Sequence, residues 1–296
     1  MTRPVVATLG VFDGVHRGHR HIFRRVVRRA RRLAGTSLVY TFDPHPARVL
    51  VPQASPPMLM TLRQKREAIR GCGLDRVLVQ RFTRSFARMP PDLFFDNIIR
   101  KRLKAREIFV GYDFTFGYHR SGTAERLETM GKKAGIRVTV VEPYLWRETL
   151  VSSTQIRQLL GRGRVRAARE LLGRRYAVEG RVVKGRGIGG TELGIHTANL
   201  APENEPILPT GVYASYTTVG SRRYASVTNI GPNPTFGPGP LSLETHLLHF
   251  NRSILGRRIR IEFEEKIREE IAFASARDLA AQIRNDIRTA LKYLRR

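Results

Sequence analysis

Apolar residues follow two successive patterns along this chain, and the change from one to the other limits the fold more than any other feature of the sequence. Up to about residue 174, short apolar runs alternate with amphipathic segments. The runs at 5–10, 37–42, 76–82, 107–112 and 137–143 read as buried strands. Between the first two, Ile22, Val26, Ala30 and Leu33 recur at helical spacing among arginines, and Gly35 supplies a stop. Segments 62–73 and 90–103 also read as helices, the second opened by prolines. Strands alternating with helices predict an α/β domain built on a parallel sheet, with helices on both faces. Ligands of such sheets bind beyond the carboxyl ends of the strands.

From about residue 175 the chain breaks into short strand-like runs separated by Gly, Pro and Asn turns, with little helix between them. That pattern predicts an antiparallel barrel or sandwich, and we adopt the barrel. A last helix, about 275–293, carries Leu279, Ile283, Ile287 and Leu291 on one face. Two helical segments, 152–163 and 164–173, join the two regimes. The domain boundary is therefore drawn near Arg174, giving domains 1–174 and 175–296, and 296 residues suit two domains. The stretch 231–240 is a turn-rich loop too short for a linker, and no internal repeat is present.

Lys and Arg number 53 against 25 Asp and Glu, a formal net charge of +28. Such a charge favours solubility and attracts anions, whether phosphorylated substrates or nucleic acid. No RNP, zinc-finger or helix-turn-helix signature is present, so nucleic acid is not expected as a partner. No run of 18 apolar residues exists, so no membrane-spanning helix is expected. Cys72 is the single cysteine, and the first residues lack signal-peptide anatomy. Together these features suit a cytoplasmic protein; the oligomeric state stays open.

The strongest local signal is "LGVFDGVHRGH", residues 9–19, where the first strand hands over to the first helix. Glycines there let the backbone approach a ligand closely. The helix N-terminus offers free N–H groups and the positive end of a dipole. His16 and His19 add donors near the same anion, and Gly18 keeps the space between them open. Gly10 and Phe12 belong to the same nucleotide-binding turn. The pattern G-x-F-D-G-x-H-x-G-H after a strand is that of nucleotidyltransferases with an H-x-G-H motif, which names a reaction class and leaves the acceptor open.

Further motifs narrow the acceptor. "TFDPHP" (41–46), "VGYDFTFGYHRSG" (110–122) and "SSTQIR" (152–157) resemble a bacterial FAD synthetase module. "LGIHTANL" (193–200), "LPTGVYA" (208–214), "NIGPNPTF" (229–236) and "LETHLLHF" (243–250) resemble riboflavin kinase. In this order and over essentially the whole chain, the motifs resemble the bifunctional riboflavin kinase/FAD synthetase family. The resemblance implies ATP-dependent phosphorylation of riboflavin to FMN and adenylylation of FMN to FAD. It implies catalytic roles for His16, His19 and Glu244. Ser153, Thr154 and Arg157 would receive the phosphates that leave as pyrophosphate, and the Gly-rich loop with Gly187 and Gly189 would close over ATP. His45, Asp113 and Phe114 would meet the flavin. Thr197 and Asn199 would bind Mg2+ and phosphate.

The second half departs from the family pattern in supporting positions. His196 stands where proline precedes "TAN", Thr191 where an arginine is common, His249 for an aspartate, and Leu255 for a tyrosine. These departures support a second reading, an FAD synthetase whose kinase-like module only binds flavin. A third reading is a basic nucleic-acid-binding regulator on a borrowed fold.

Overall fold

The computed structural model describes residues 3–184, 197–231 and 241–294. Contacts divide the chain into two compact units, 1–56 with 62–152, and 57–61 with 153–296. The Arg174 boundary read from the sequence falls later than this division.

In the first unit, strand β1 (Val5–Leu9) leads to helix α1 (Arg17–Arg32), β2 (Thr36–Asp43), α2 (Pro46–Leu50), α3 (Leu62–Arg70) and β3 (Arg76–Arg81). The chain continues through α4 (Arg84–Ala87) and α5 (Pro91–Phe94), which runs on as a π-helical stretch over Phe95–Arg102. The 90–103 segment was expected as an ordinary helix. The Leu103 amide instead reaches back five residues to the Ile98 carbonyl, at 2.8 Å. Strand β4 (Ala105–Gly111), the hairpin β5 (Thr115–Phe116) and β6 (Gly122–Thr123), α6 (Ala124–Lys133) and β7 (Arg137–Val141) follow, then the hairpin β8 (Leu145–Trp146) and β9 (Thr149–Leu150).

Five parallel strands form one sheet in the order β3-β2-β1-β4-β7. The chain first steps outward from β1 to β2 and β3, then returns to the other side of β1 to add β4 and β7. Right-handed crossovers in opposite directions place their helices on opposite faces. Ala7, Leu9, Leu38, Tyr40, Ile108 and Val110 accordingly bury against Phe94, Phe95, Ile98, Ile99 and Leu127. On the other face, Arg25 of α1 lies over the Phe109 ring. Phe23, Val26, Val27 and Ala30 are the buried residues of α1, so Val26 and Ala30 fit the sequence stripe, while Phe23 and Val27 replace its half-buried ends, Ile22 and Leu33. The gap between β1 and β4 is the topological switch point, where ligands of open α/β sheets bind.

The second unit begins with α7 (Ser153–Gly161) and α8 (Val165–Leu172). Six strands then close an antiparallel barrel: β10 (Ala177–Val183), β11 (Ala198–Pro202), β12 (Gly211–Val219), β13 (Arg222–Gly231), β14 (Ser242–Leu247) and β15 (Arg258–Arg268). Their order around the barrel is β10-β11-β14-β13-β12-β15, with β15 pairing β10 again. Arg166 pairs with Glu265 at 2.8 Å and Arg169 with Glu264 at 2.6 Å, so α8 is fastened to β15. Inside the barrel, Ser215, Thr217, Ser226, Thr228 and Thr245 are fully buried. Their hydroxyls satisfy one another, Ser215 to Thr228 at 2.7 Å and Thr228 to Thr245 at 3.0 Å.

Helix α9 (Ala276–Leu294) ends the described chain. Its stripe differs from the one read in the sequence. Leu279, Ile283, Ile287 and Leu291 are half-buried, and the buried positions are Ala280, Asp286, Ala290 and Leu294. A strict four-residue spacing drifts around a helix of 3.6 residues per turn, so those side chains cannot share one narrow seam. Arg268 of β15 fixes the rotation by holding Asp286 through Nε–H to Oδ1 at 3.0 Å and Nη2–H to Oδ2 at 2.8 Å.

Candidate active sites

The turn after β1 is built around the two histidines. His16 is the N-cap of α1, and its Nδ1 accepts the His19 backbone N–H at 3.3 Å. An Nδ1 that accepts carries no proton, so a neutral His16 ring carries its proton on Nε2. The His16 and His19 rings stack with centroids 3.5 Å apart. Phe12 lies edge to face on His19 at 5.2 Å and meets Phe23 at 4.9 Å. Its ring is therefore the buried backing of His19. A side chain at Gly10 would strike that ring, since a Cβ there would lie 2.8 Å from Phe12 Cζ. A Cβ at Gly18 would lie 3.2 Å from His16 Cε1 and Nδ1. Both glycines thus fit the close packing of this turn. Phe12, Gly14 and Val15 hold positive φ angles of 52°, 83° and 41°. For phenylalanine and valine that conformation is costly and needs support from outside the loop.

The neighbouring strands deliver the flavin candidates to the same edge of the sheet. At the end of β2, His45 caps α2, with Nδ1 accepting the Ala47 N–H at 3.1 Å. At the end of β4, the Phe114 amide closes a tight turn onto the Gly111 carbonyl at 3.1 Å. Asp113 is exposed there, and Phe114 is half-buried with its ring parallel to Phe116 at 5.7 Å. The carboxyl ends of β2, β1 and β4, which are adjacent, therefore carry His45, the two motif histidines, and Asp113 with Phe114.

Lys65 of α3 was not anticipated. It is only 7% exposed, and its ammonium donates to the carbonyls of Val11 at 3.2 Å and Phe42 at 2.9 Å. Burial pushes its pKa down, and Asp13 and Asp43 oppose that shift.

In the second unit, Ser153 and Thr154 open α7, as the sequence predicts. Arg157, on the next turn, donates its Nε–H to the Pro57 carbonyl at 2.7 Å. The barrel aligns a polar row. Asn199 on β11 and Asn229 on β13 are both in register with Glu244 on β14. Ala198, Leu200, Leu243, Thr245 and Thr228 beside them are buried, so the row faces out of the barrel. Thr197 is exposed and shares the face of Asn199 by the same alternation. Asn229 donates to Glu270 at 3.1 Å, while its Oδ1 is buried without a hydrogen-bond partner among the described residues. Gly187, Gly189, Thr191 and His196 lie outside the described residues. His249 sits at φ 57°, a left-handed angle, on the turn after β14.

A nucleotidyltransferase turn at a switch point, followed by a barrel with an outward carboxylate and amide row, defines a two-module transferase. Comparison with known proteins agrees. The FAD synthetase family matches residues 1–155 and the riboflavin kinase family residues 172–294. The bifunctional riboflavin kinase/FMN adenylyltransferase of Escherichia coli K12 is 35% identical over 97% of this chain and 92% of its own length. The Bacillus subtilis protein of that name is 36% identical, with the same shares covered. A crystal structure described as a macrolide-efflux protein from Streptococcus pneumoniae superposes with a TM-score of 0.87 at 29% identity, over 98% of this chain and 94% of that one. The chain belongs to the bifunctional riboflavin kinase/FMN adenylyltransferase family. No helix among the described residues is long and apolar enough to cross a membrane.

Proposed function

We propose that this protein makes FMN from riboflavin and then FAD from FMN, consuming ATP in both steps, in the cytoplasm. The observation that carries this reading is that both family domains lie in one chain.

In the first module an FMN phosphate oxygen attacks the α-phosphorus of ATP in line, and pyrophosphate leaves. The nucleophile is already an anion, so positioning and charge stabilisation supply the rate rather than a strong base. His16 donates from Nε2–H, its Nδ1 being engaged by the helix cap. His19, stacked on it, serves the same triphosphate. Gly10, Phe12 and Gly18 shape the turn that admits the nucleotide. Ser153, Thr154 and Arg157 bind the departing phosphates. His45, Asp113 and Phe114 meet the flavin.

In the second module Glu244 accepts the proton of the riboflavin 5′-hydroxyl as that oxygen attacks the γ-phosphorus of ATP, the bond to the β-phosphate breaks and ADP leaves. The donor set beside it suits Mg2+. Thr197 and Asn199 offer hard neutral oxygens on one face, and the Oδ1 of Asn229, buried without a hydrogen-bond partner among the described residues, lies in the same row. Thr197 and Asn199 would hold the ion, which neutralises phosphate charge when bound. Gly187 and Gly189 belong to the loop assigned to ATP.

Supplying riboflavin, and separately FMN, with ATP and magnesium and resolving the flavins by chromatography tests both steps. FMN and FAD from riboflavin are expected. FAD from FMN without any FMN from riboflavin would replace this reading by that of a single-activity FAD synthetase.

A further inference from the structure

Lys65 is a charge placed where an amphipathic helix should put an apolar residue. Gln64, Lys65 and Ile69 form the buried face of α3. Burying an ammonium costs several kcal/mol, and an apolar side chain of similar volume would fill the space more cheaply. Packing alone does not account for a lysine here.

Its two acceptors show what the charge connects. Val11 lies two residues past the end of β1, inside the H-x-G-H turn, and Phe42 lies one residue before the end of β2. From Phe42 the chain passes through Asp43 and Pro44 to His45. The ammonium bridges the exits of the two adjacent strands that carry His16, His19 and His45. Thr41 also donates to the Val11 carbonyl, at 3.0 Å, so this oxygen is anchored twice. The residues that follow it, Phe12, Gly14 and Val15, hold the positive φ angles. A turn in that conformation keeps its shape only while its ends are fixed. The carboxylates of Asp13 and Asp43 act on the ammonium and favour its charged form against the effect of burial.

We propose that Lys65 is a positioning residue for adenylyl transfer: it fixes the spacing of the H-x-G-H turn against the His45 segment and holds a positive charge behind the phosphate-binding turn. The inference rests on the adenylylation reading above. A displacement of about 1 Å at a reacting group can cost about 10²-fold in rate. Lys65→Met keeps the length of the side chain and removes its donors and charge.

The test measures kcat and KM for FAD formation from FMN by the full chain, with riboflavin phosphorylation in the same preparation as internal control. Lys65→Met should lower kcat for FAD formation roughly 10- to 100-fold, on the same estimate. KM should change far less, and FMN formation from riboflavin should stay at the wild-type rate. Lys65→Arg, which keeps charge and donors, should recover part of the loss. Wild-type kcat in Lys65→Met overturns the proposal. So does a parallel loss of both activities, or a loss that Lys65→Arg does not relieve. If Lys65→Met gives no soluble protein, Lys65→Gln carries the same comparison and the same overturning outcomes. A wild-type protein that makes no FAD from FMN overturns the adenylylation reading instead.

Discussion

The imidazoles of His16 and His19 lie ring on ring, 3.5 Å between centroids and 20° between planes, and the backbone N–H of one caps onto the other. The pair caps the start of α1, and in the function proposed above it also presents donors to the nucleotide; substitutions can separate the two. Asparagine is a good N-cap, so His16→Asn should keep α1 and lose the Nε2 donor. We expect its unfolding midpoint to stay near wild type while FAD formation falls about 10²–10³-fold, the cost of one lost charge-stabilising donor. His19→Ala should show the same fall. Thermal unfolding and chromatographic FAD assays on the two variants check this, and a folded His16→Asn protein with normal FAD formation would remove His16 from the chemistry.

Gly18 offers a sharper separation of stability from activity. It lies in the first turn of α1, where alanine is favoured over glycine by about 1 kcal/mol in helix propensity. Its new Cβ would stand 3.2 Å from the His16 ring, tight enough to move the ring by a few tenths of an ångström. Gly18→Ala should therefore be at least as stable as wild type and make FAD about tenfold more slowly, because the donor is displaced. A variant both less stable and fully active would show that the glycine serves the helix and leaves the ring undisturbed.

The H-x-G-H turn was legible in the sequence because its parts are local. Strand, glycines and helix start lie within a dozen residues, and their chemistry follows from that order. Lys65 was not legible, because a lysine in "LRQKREAIR" reads as a solvated position. Only the sheet order, which sets α3 beside the exits of β1 and β2, gives it a buried role. Asn229 was missed for a related reason. It joins Glu244 and Asn199 through cross-strand register, and register is set by the closed barrel rather than by any spacing in the chain. The rotation of α9 escaped because its buried face joins Ala290 and Leu294 with Asp286, a charged residue paired with Arg268 that an apolar stripe does not reveal.

The row around Glu244 predicts that the two activities can be switched off independently. Glutamine has nearly the shape of glutamate and cannot take the hydroxyl proton. Glu244→Gln should lower FMN formation from riboflavin about 10²–10⁴-fold, the usual contribution of a general base. FAD formation from supplied FMN should be unchanged, since Glu244, on a barrel strand, is not among the residues proposed for adenylyl transfer. Assaying the two steps separately decides it. Unaltered riboflavin phosphorylation would make Glu244 an ordinary strand residue.

Glu107 and Arg29 give a prediction for pH. Arg29 of α1 grips the Glu107 carboxylate on β4 with Nε–H to Oε2 at 2.7 Å and Nη2–H to Oε1 at 2.5 Å. Glu107 is 5% exposed. The hydrogen bond from Arg29 is the largest influence and lowers the carboxyl pKa below its ordinary 4.5, although burial pushes the other way. A carboxyl with a lower pKa folded than unfolded adds stability that is complete above the unfolded value. That stability is lost as pH falls through the folded one. At neutral pH, Glu107→Gln should cost about 1–3 kcal/mol, the scale of a hydrogen-bonded charge whose partner is left unmatched. Because Glu107 sits near the start of β4, away from the carboxyl edge of the sheet, FAD formation at moderate temperature should stay near wild type. Denaturant titrations of both proteins at pH 7 and at steps below 4.5 measure the difference. The gap should narrow as the acid range is entered, because wild type then loses what the variant never had. A gap that stays constant down to the lowest pH at which both proteins fold would assign the loss to packing and not to the ion pair.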